Sequence, residues 1–96
     1  IDVLVPRGSA ALIHTVVTES TVPVIETGAG VVHIVLDESA PLEWARDIVV
    51  NAKVQRPSVC NAVETVLVHR GAADRLVPAV VDALVSRGVT VHGDQT

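Results

Sequence analysis

The sequence predicts an α/β layer architecture built on a largely parallel sheet. Three observations lead there. Short runs rich in Val and Ile alternate with segments whose apolar residues recur every three to four positions, the pattern of strands interleaved with helices. The run 31–36, Val-Val-His-Ile-Val-Leu, is apolar almost throughout, as a strand buried on both faces of a parallel sheet would be. Proline and glycine stand at most of the joints between segments, where they punctuate secondary structure.

Residues 2–5 form a short apolar run that ends at Pro6, read as a strand. From Ser9 to Thr18, Ala11, Leu12, Ile13, Val16 and Val17 fall at helical spacing, with Ser9 as N-cap. The β-branched run 22–26 is a second strand. Thr27-Gly28-Ala29-Gly30 breaks it, and 31–36 is a third. After a loop at 37–40, Ser39 is placed to cap the next helix and Pro41 suits its first turn. Leu42, Ala45, Ile48, Val49 and Ala52 mark that helix, with Trp44 as a packing residue on it. Pro57 stops it, because the residue before a proline avoids the α region. Residues 65–69 are a strand. Ala73, Leu76, Val77, Val80 and Leu84 outline a helix, in which Pro78 predicts a kink or a restart. Gly88 ends that helix and 89–91 is a last strand. The predicted order is β-α-β-β-α-β-α-β.

Composition narrows the function. Ninety-six residues make one small domain or part of a larger one, and a chain of this size buries about 60–70% of its unfolded surface. Hydrophobic residues are 49% and charged residues 19%, a folding rather than a disordered composition. The net charge is −4, the cations are scattered, and Trp44 is the single aromatic. Nothing there offers a basic stripe or a stacking platform, so nucleic acid is not an expected partner. No apolar run approaches the roughly 20 residues of a membrane span, so no membrane partner is expected either. One cysteine excludes an intrachain disulfide and fits a reducing cytoplasm. His14, His33, His69 and His92 lie far apart in sequence, and no metal site is expected. Gly28-Ala29-Gly30 lacks the third glycine of a dinucleotide fingerprint and is followed by a strand, so it is not read as a phosphate cradle.

Cys60 is the only sulfur in the chain. It lies in a short polar stretch between a helical segment and a strand, where backbone N–H groups and nearby cations favour a thiolate, the nucleophilic form. The competing reading is a small buried hydrophobe. Arg56 and Lys53 precede it and are suited to a phosphate or carboxylate. The same cations also suit a helix C-terminus with no ligand.

The run NAKVQRPSVCNAVETVLVH around Cys60 closely resembles the active-site segment of the gamma-glutamyl phosphate reductase family (glutamate-5-semialdehyde dehydrogenases), a branch of the aldehyde dehydrogenase superfamily. A second run, Val22-Pro23-Val24-Ile25-Glu26-Thr27-Gly28-Ala29-Gly30-Val31-Val32-His33, resembles the family's segment upstream of the nucleophile. A third, Asp2-Val3-Leu4-Val5-Pro6-Arg7-Gly8-Ser9, resembles the edge of its cofactor domain. The three stand in family order at family-like spacing and cover nearly the whole chain.

The resemblance implies a three-layer sheet flanked by helices, like part of an aldehyde dehydrogenase catalytic domain. It puts 1–21 at the end of the cofactor-binding domain and 22–96 in the first part of the catalytic domain. Because the family's members are several times longer, the chain is expected to be an internal piece, inactive alone. The implied reaction is NADPH-dependent reduction of L-glutamyl 5-phosphate to glutamate 5-semialdehyde, with phosphate released, in proline biosynthesis in the cytoplasm. Cys60 is then the nucleophile, and Glu26 matches the general base of hydrolytic relatives. Thr27 stands where those relatives usually have Leu, which argues against that role for Glu26. Gly8, Ser9, Glu26, Thr27 and Gly28 are the implied contacts to NADPH or NADP. Arg56 and Asn61 are the implied contacts to substrate. The partners are small molecules, with a homo-oligomer left open. Two alternatives stand beside this reading: a hydrolytic aldehyde dehydrogenase, and a non-catalytic α/β binding module whose cysteine is incidental.

Overall fold

A computed structural model describes residues 1–96, which fall into two compact units, Ile1–Gly30 and Val31–Thr96. By its contacts the segment 22–30 groups with the first unit.

In the first unit, helix α1 (Ala10–Glu19) begins as expected, with the Ser9 hydroxyl accepting from the Leu12 N–H at 3.3 Å. None of its residues is buried. The two expected strands shrink to one parallel bridge, Leu4 with Val24. The Leu4 N–H donates to the Pro23 carbonyl and the Ile25 N–H to the Leu4 carbonyl, both at 2.9 Å. Two prolines explain why the ladder stops. In one direction the next rung would need the Pro23 N–H, in the other the Pro6 N–H, and proline has none.

The second unit runs β1 (Val32–Leu36), α2 (Leu42–Val54), β2 (Val63–Val68), a 3-10 turn (Arg70–Ala72) and α3 (Ala73–Val85). β1 and β2 are parallel neighbours. Parallel strands need a long crossover, and α2 supplies it. The α/β class with a parallel sheet is therefore the observed one. Ile34 lies opposite Val66, and Leu36 opposite Val68. These inward residues pack with Ala45 and Val49 of α2 and with Ala72, Leu76, Val80 and Leu84 in one cluster. Val49 and Leu76 are wholly buried, each contributing about 1.5–3 kcal/mol of apolar transfer.

Both helices thus cover the same face of the sheet. The other face carries Val35 opposite Leu67, which are 69% and 50% exposed. The apolar run 31–36 is covered on one side here, not two. Trp44 and Ile48 also differ from expectation. They lie on the outward side of α2, while Ala45 and Val49 make the buried side.

Two further expectations are corrected, at Ser39 and at 89–91, and of the kink or restart expected at Pro78 the restart is excluded. Ser39 does not cap α2; its hydroxyl donates to Asp37 Oδ2 at 2.8 Å, and Pro41 is the N-cap, with no side-chain bond. α3 runs through Pro78 without a restart. The carbonyl deprived of its donor is that of Asp74, which is exposed like Pro78 and open to water. The stretch 89–91 is not a strand. Val89 instead completes the end of α3, donating to the Leu84 carbonyl at 3.1 Å, while the Gly88 N–H donates to that of Val85 at 2.9 Å. With Gly88 at φ +78° this is a Schellman motif.

Candidate functional site

The residues 55–62 link α2 to β2 and carry three predicted site residues: Arg56, Cys60 and Asn61. Local chemistry makes this a loop. The helix ends at Val54, three residues before Pro57, and two turns follow, with the Val59 N–H donating to Arg56 O at 3.3 Å and Ala62 N–H to Val59 O at 3.1 Å. Residues 55–61 are all exposed, and the chain is buried again only at Ala62 and Val63. Cys60 is a free, exposed thiol and not a packed hydrophobe in this chain. Its N–H makes no backbone hydrogen bond within the chain.

Lys53 lies in the last turn of α2 and is partly buried. Its ammonium donates to the carbonyl oxygen of Val63 at 3.1 Å, across the base of the loop. Sequence reasoning weighed this lysine for an anion and missed the bond, because nothing in the primary structure says that position 53 faces position 63. Lys53 and Pro57 also line an open cleft of about 420 Å³ with Arg87, Gly88, Val89 and Thr90. Cys60 is not among its lining residues.

The remaining predicted residues belong to the first unit. Gly8 and Ser9 form the turn into α1. Gly8 has φ +153°, which side chains rarely adopt, and an added Cβ would lie 2.6 Å from Leu12 Cδ2. The tip of Leu12 can move, so the backbone angle is the stronger reason for glycine. Glu26, Thr27 and Gly28 are exposed after the bridge at Val24, and a Cβ at Gly28 would meet nothing within 4 Å. Cys60 and Glu26 thus lie in different units.

Two histidines have local explanations. The His33 Nδ1 is 3.1 Å from the Val31 carbonyl. The His69 Nδ1 accepts from the Gly71 N–H at 3.1 Å, capping the 3-10 turn. Glu38 Oε2 lies 3.5 Å from the same ring nitrogen. No group of three His, Cys, Asp or Glu side chains is placed to hold a metal ion. No helix is long and apolar enough to cross a membrane.

No protein-family model matches the chain. Curated proteins do. Gamma-glutamyl phosphate reductase of Clavibacter michiganensis is 72% identical over 94 residues, covering 98% of this chain and 22% of that protein. The enzyme of the same name from Caldanaerobacter subterraneus is 61% identical over 93 residues, 97% of this chain and again 22% of the relative. The crystal structure of gamma-glutamyl phosphate reductase from Thermotoga maritima superposes with a TM-score of 0.87 at 46% identity, over 93% of this chain and 22% of that one. The chain spans under a quarter of the length of these relatives. By sequence and by fold the chain is similar to one segment of these gamma-glutamyl phosphate reductases.

Proposed function

We propose that this chain is the nucleophile-bearing part of an NADP-dependent reductase that converts L-glutamyl 5-phosphate to L-glutamate 5-semialdehyde in cytoplasmic proline biosynthesis. The observation that carries the reading is the exposed Cys60, set on a loop between a helix and a buried strand, in a chain 72% identical to a protein of that name.

The Cys60 thiolate attacks the acyl phosphate carbonyl. The carbon–oxygen bond to phosphate breaks, inorganic phosphate leaves, and a thioester to Cys60 remains. The Cys60 N–H, unused by backbone acceptors of the chain, is available to the oxyanion that forms on the way. NADPH, when bound, supplies the hydride that reduces the thioester carbon. The Cys60 sulfur then leaves as thiolate while the aldehyde carbonyl forms, which restores the nucleophile. Arg56, exposed four residues before Cys60, offers a two-pronged donor to the phosphate or to the substrate carboxylate. Asn61 adds a neutral amide beside it.

The first unit fits a cofactor contact at Gly8. A bare backbone turn that excludes side chains, at the start of a helix capped by Ser9, lets a ligand approach closely. Glu26, Thr27 and Gly28 are the further cofactor contacts. Glu26 is not needed as a base, because phosphate and not water is the group exchanged at the thioester.

The test is made in a full-length reductase carrying this segment. Glutamate 5-semialdehyde, NADP and phosphate are supplied and NADPH is followed, with Cys60→Ala alongside. Phosphate-dependent NADPH that vanishes in the variant supports the proposal. NADPH formed equally without phosphate points to a hydrolytic dehydrogenase and returns Glu26 as its base. No NADPH under any condition leaves a binding module as the better account.

A further inference from the structure

We infer that Lys53 is a positioning residue for the Cys60 loop, acting through its hydrogen bond to the Val63 carbonyl; the inference rests on the reading of Cys60 as nucleophile. The bond spans ten residues of chain and joins the last turn of α2 to the first residue of β2. Between those ends lie Arg56, Cys60 and Asn61. Residues 55–61 are exposed within this chain, so its own packing does not fix them, and the backbone bonds within the loop are the two at 3.3 and 3.1 Å.

The far anchor needs the bond most. Val63 is 2% exposed, yet the sheet changes register there. Val32 lies opposite Val63, whereas His33 lies opposite Thr65, which leaves Glu64 as an extra residue on β2. Such a bulge disrupts the ladder locally. A charged donor to the Val63 carbonyl holds the strand's entry where the ladder is irregular, and charge-assisted bonds are the stronger kind. Holding both feet of the loop narrows the positions open to the Cys60 sulfur, and nucleophilic attack depends steeply on such placement.

The bond also gives Lys53 a task other than anion binding, although Lys53 lines the cleft with Arg87 and Thr90. The two roles predict different kinetics. A lost phosphate contact raises the KM for phosphate, whereas a misplaced nucleophile lowers kcat.

The experiment compares Lys53→Met with Lys53→Arg in the full-length reductase, with Cys60→Ala as control. Amide hydrogen exchange is read at Ala62, whose N–H closes the second loop turn, and at His69, whose N–H donates to Leu36 O at 2.8 Å in the sheet. In Lys53→Met, Ala62 is expected to exchange faster while His69 is unchanged. kcat is expected to fall by up to about a hundredfold, with the KM for phosphate held within about twofold. Lys53→Arg, which keeps an N–H donor, should recover part of both effects. Unchanged exchange at Ala62 with unchanged kcat overturns the inference, as does a raised KM for phosphate at constant kcat. If faster exchange at His69 shows that Lys53→Met has lost the fold, Lys53→Arg and Lys53→Gln carry the same comparison. Turnover that survives in Cys60→Ala sinks the nucleophile reading instead, and is told apart because the exchange at Ala62 still reports the tether.

Discussion

The guanidinium of Arg75 donates to the Ala40 carbonyl oxygen at 3.0 Å, across 35 residues of chain. Its other terminal nitrogen donates to the Glu38 carbonyl, also at 3.0 Å. One side chain of α3 therefore holds two carbonyls of the loop between β1 and α2. That loop sets where α2 starts, and α2 in turn carries Lys53 and leads into the Cys60 loop. Arginine suits the task because its fork presents two donors in fixed geometry. The bonds are exposed, so water competes for them. Arg75→Met is expected to destabilise the second unit by about 1 kcal/mol, seen as a lower midpoint in urea at unchanged slope. Arg75→Lys should recover less than half of that, since one ammonium cannot reproduce the fork.

Leu76 lies one residue along from that clamp and faces the opposite way, at 0% exposure. It sits in the cluster with Leu36, Val49 and Val80. Leu76→Ala would leave a cavity among groups that come from both helices and the sheet, with an expected cost of about 2–5 kcal/mol. Thermal unfolding checks this. A loss under 1 kcal/mol would mean that α3 does not hold the core in the way described.

Much of this core was legible in the sequence. Leu76, Val80 and Leu84 fall at helical spacing, and the Gly88 stop and the Ser9 cap are local signals that tertiary contacts left intact. The β1–α2–β2 unit followed from a strand, a long helical pattern and a second strand. What escaped was non-local. The single rung between Leu4 and Val24 depends on how two prolines fall in a register that only pairing defines. The exposure of Val35, Trp44 and Ile48 depends on which face a neighbour covers. At the candidate site, the exposed loop that carries Cys60 was readable because its residues are contiguous. The Lys53 and Arg75 tethers were not, because each joins a side chain to a backbone carbonyl, and carbonyls leave no mark in a sequence.

Asp37 carries the pH prediction. Its carboxylate accepts from the Ser39 hydroxyl at 2.8 Å and from the backbone N–H groups of Glu38 and Ser39. These bonds, the Ser39 hydroxyl foremost, hold its pKa below the usual 3.8, with a smaller contribution from His69. The sign follows from linkage. The folded state prefers the ionised form, so the stabilisation is present above the unfolded pKa and is lost as pH falls through the lower folded value. Asp37→Asn should therefore be less stable than the parent at neutral pH. The gap should close on acidification below about 3.8. Urea unfolding at a series of pH values measures it, and a gap that widened on acidification would contradict the assignment. Ser39→Ala should shrink the same gap, because it removes the largest cause of the shift.

Gly88 gives a test free of packing effects. Its φ is +78°, and a Cβ there would meet nothing within 4 Å. Any penalty for Gly88→Ala is then conformational, the cost of a left-handed residue with a side chain, about 1–2 kcal/mol. The turn matters beyond itself. Gly88 directs Val89 back so that its N–H reaches the Leu84 carbonyl and its side chain packs against the core cluster. It also borders the cleft that Lys53 and Pro57 line. Gly88→Asn should cost less than Gly88→Ala, because asparagine tolerates the left-handed region better. The ordering Gly, then Asn, then Ala in denaturant midpoint is the expected result. Equal stability for Ala and Gly would mean that the end of α3 does not turn through Gly88 in solution.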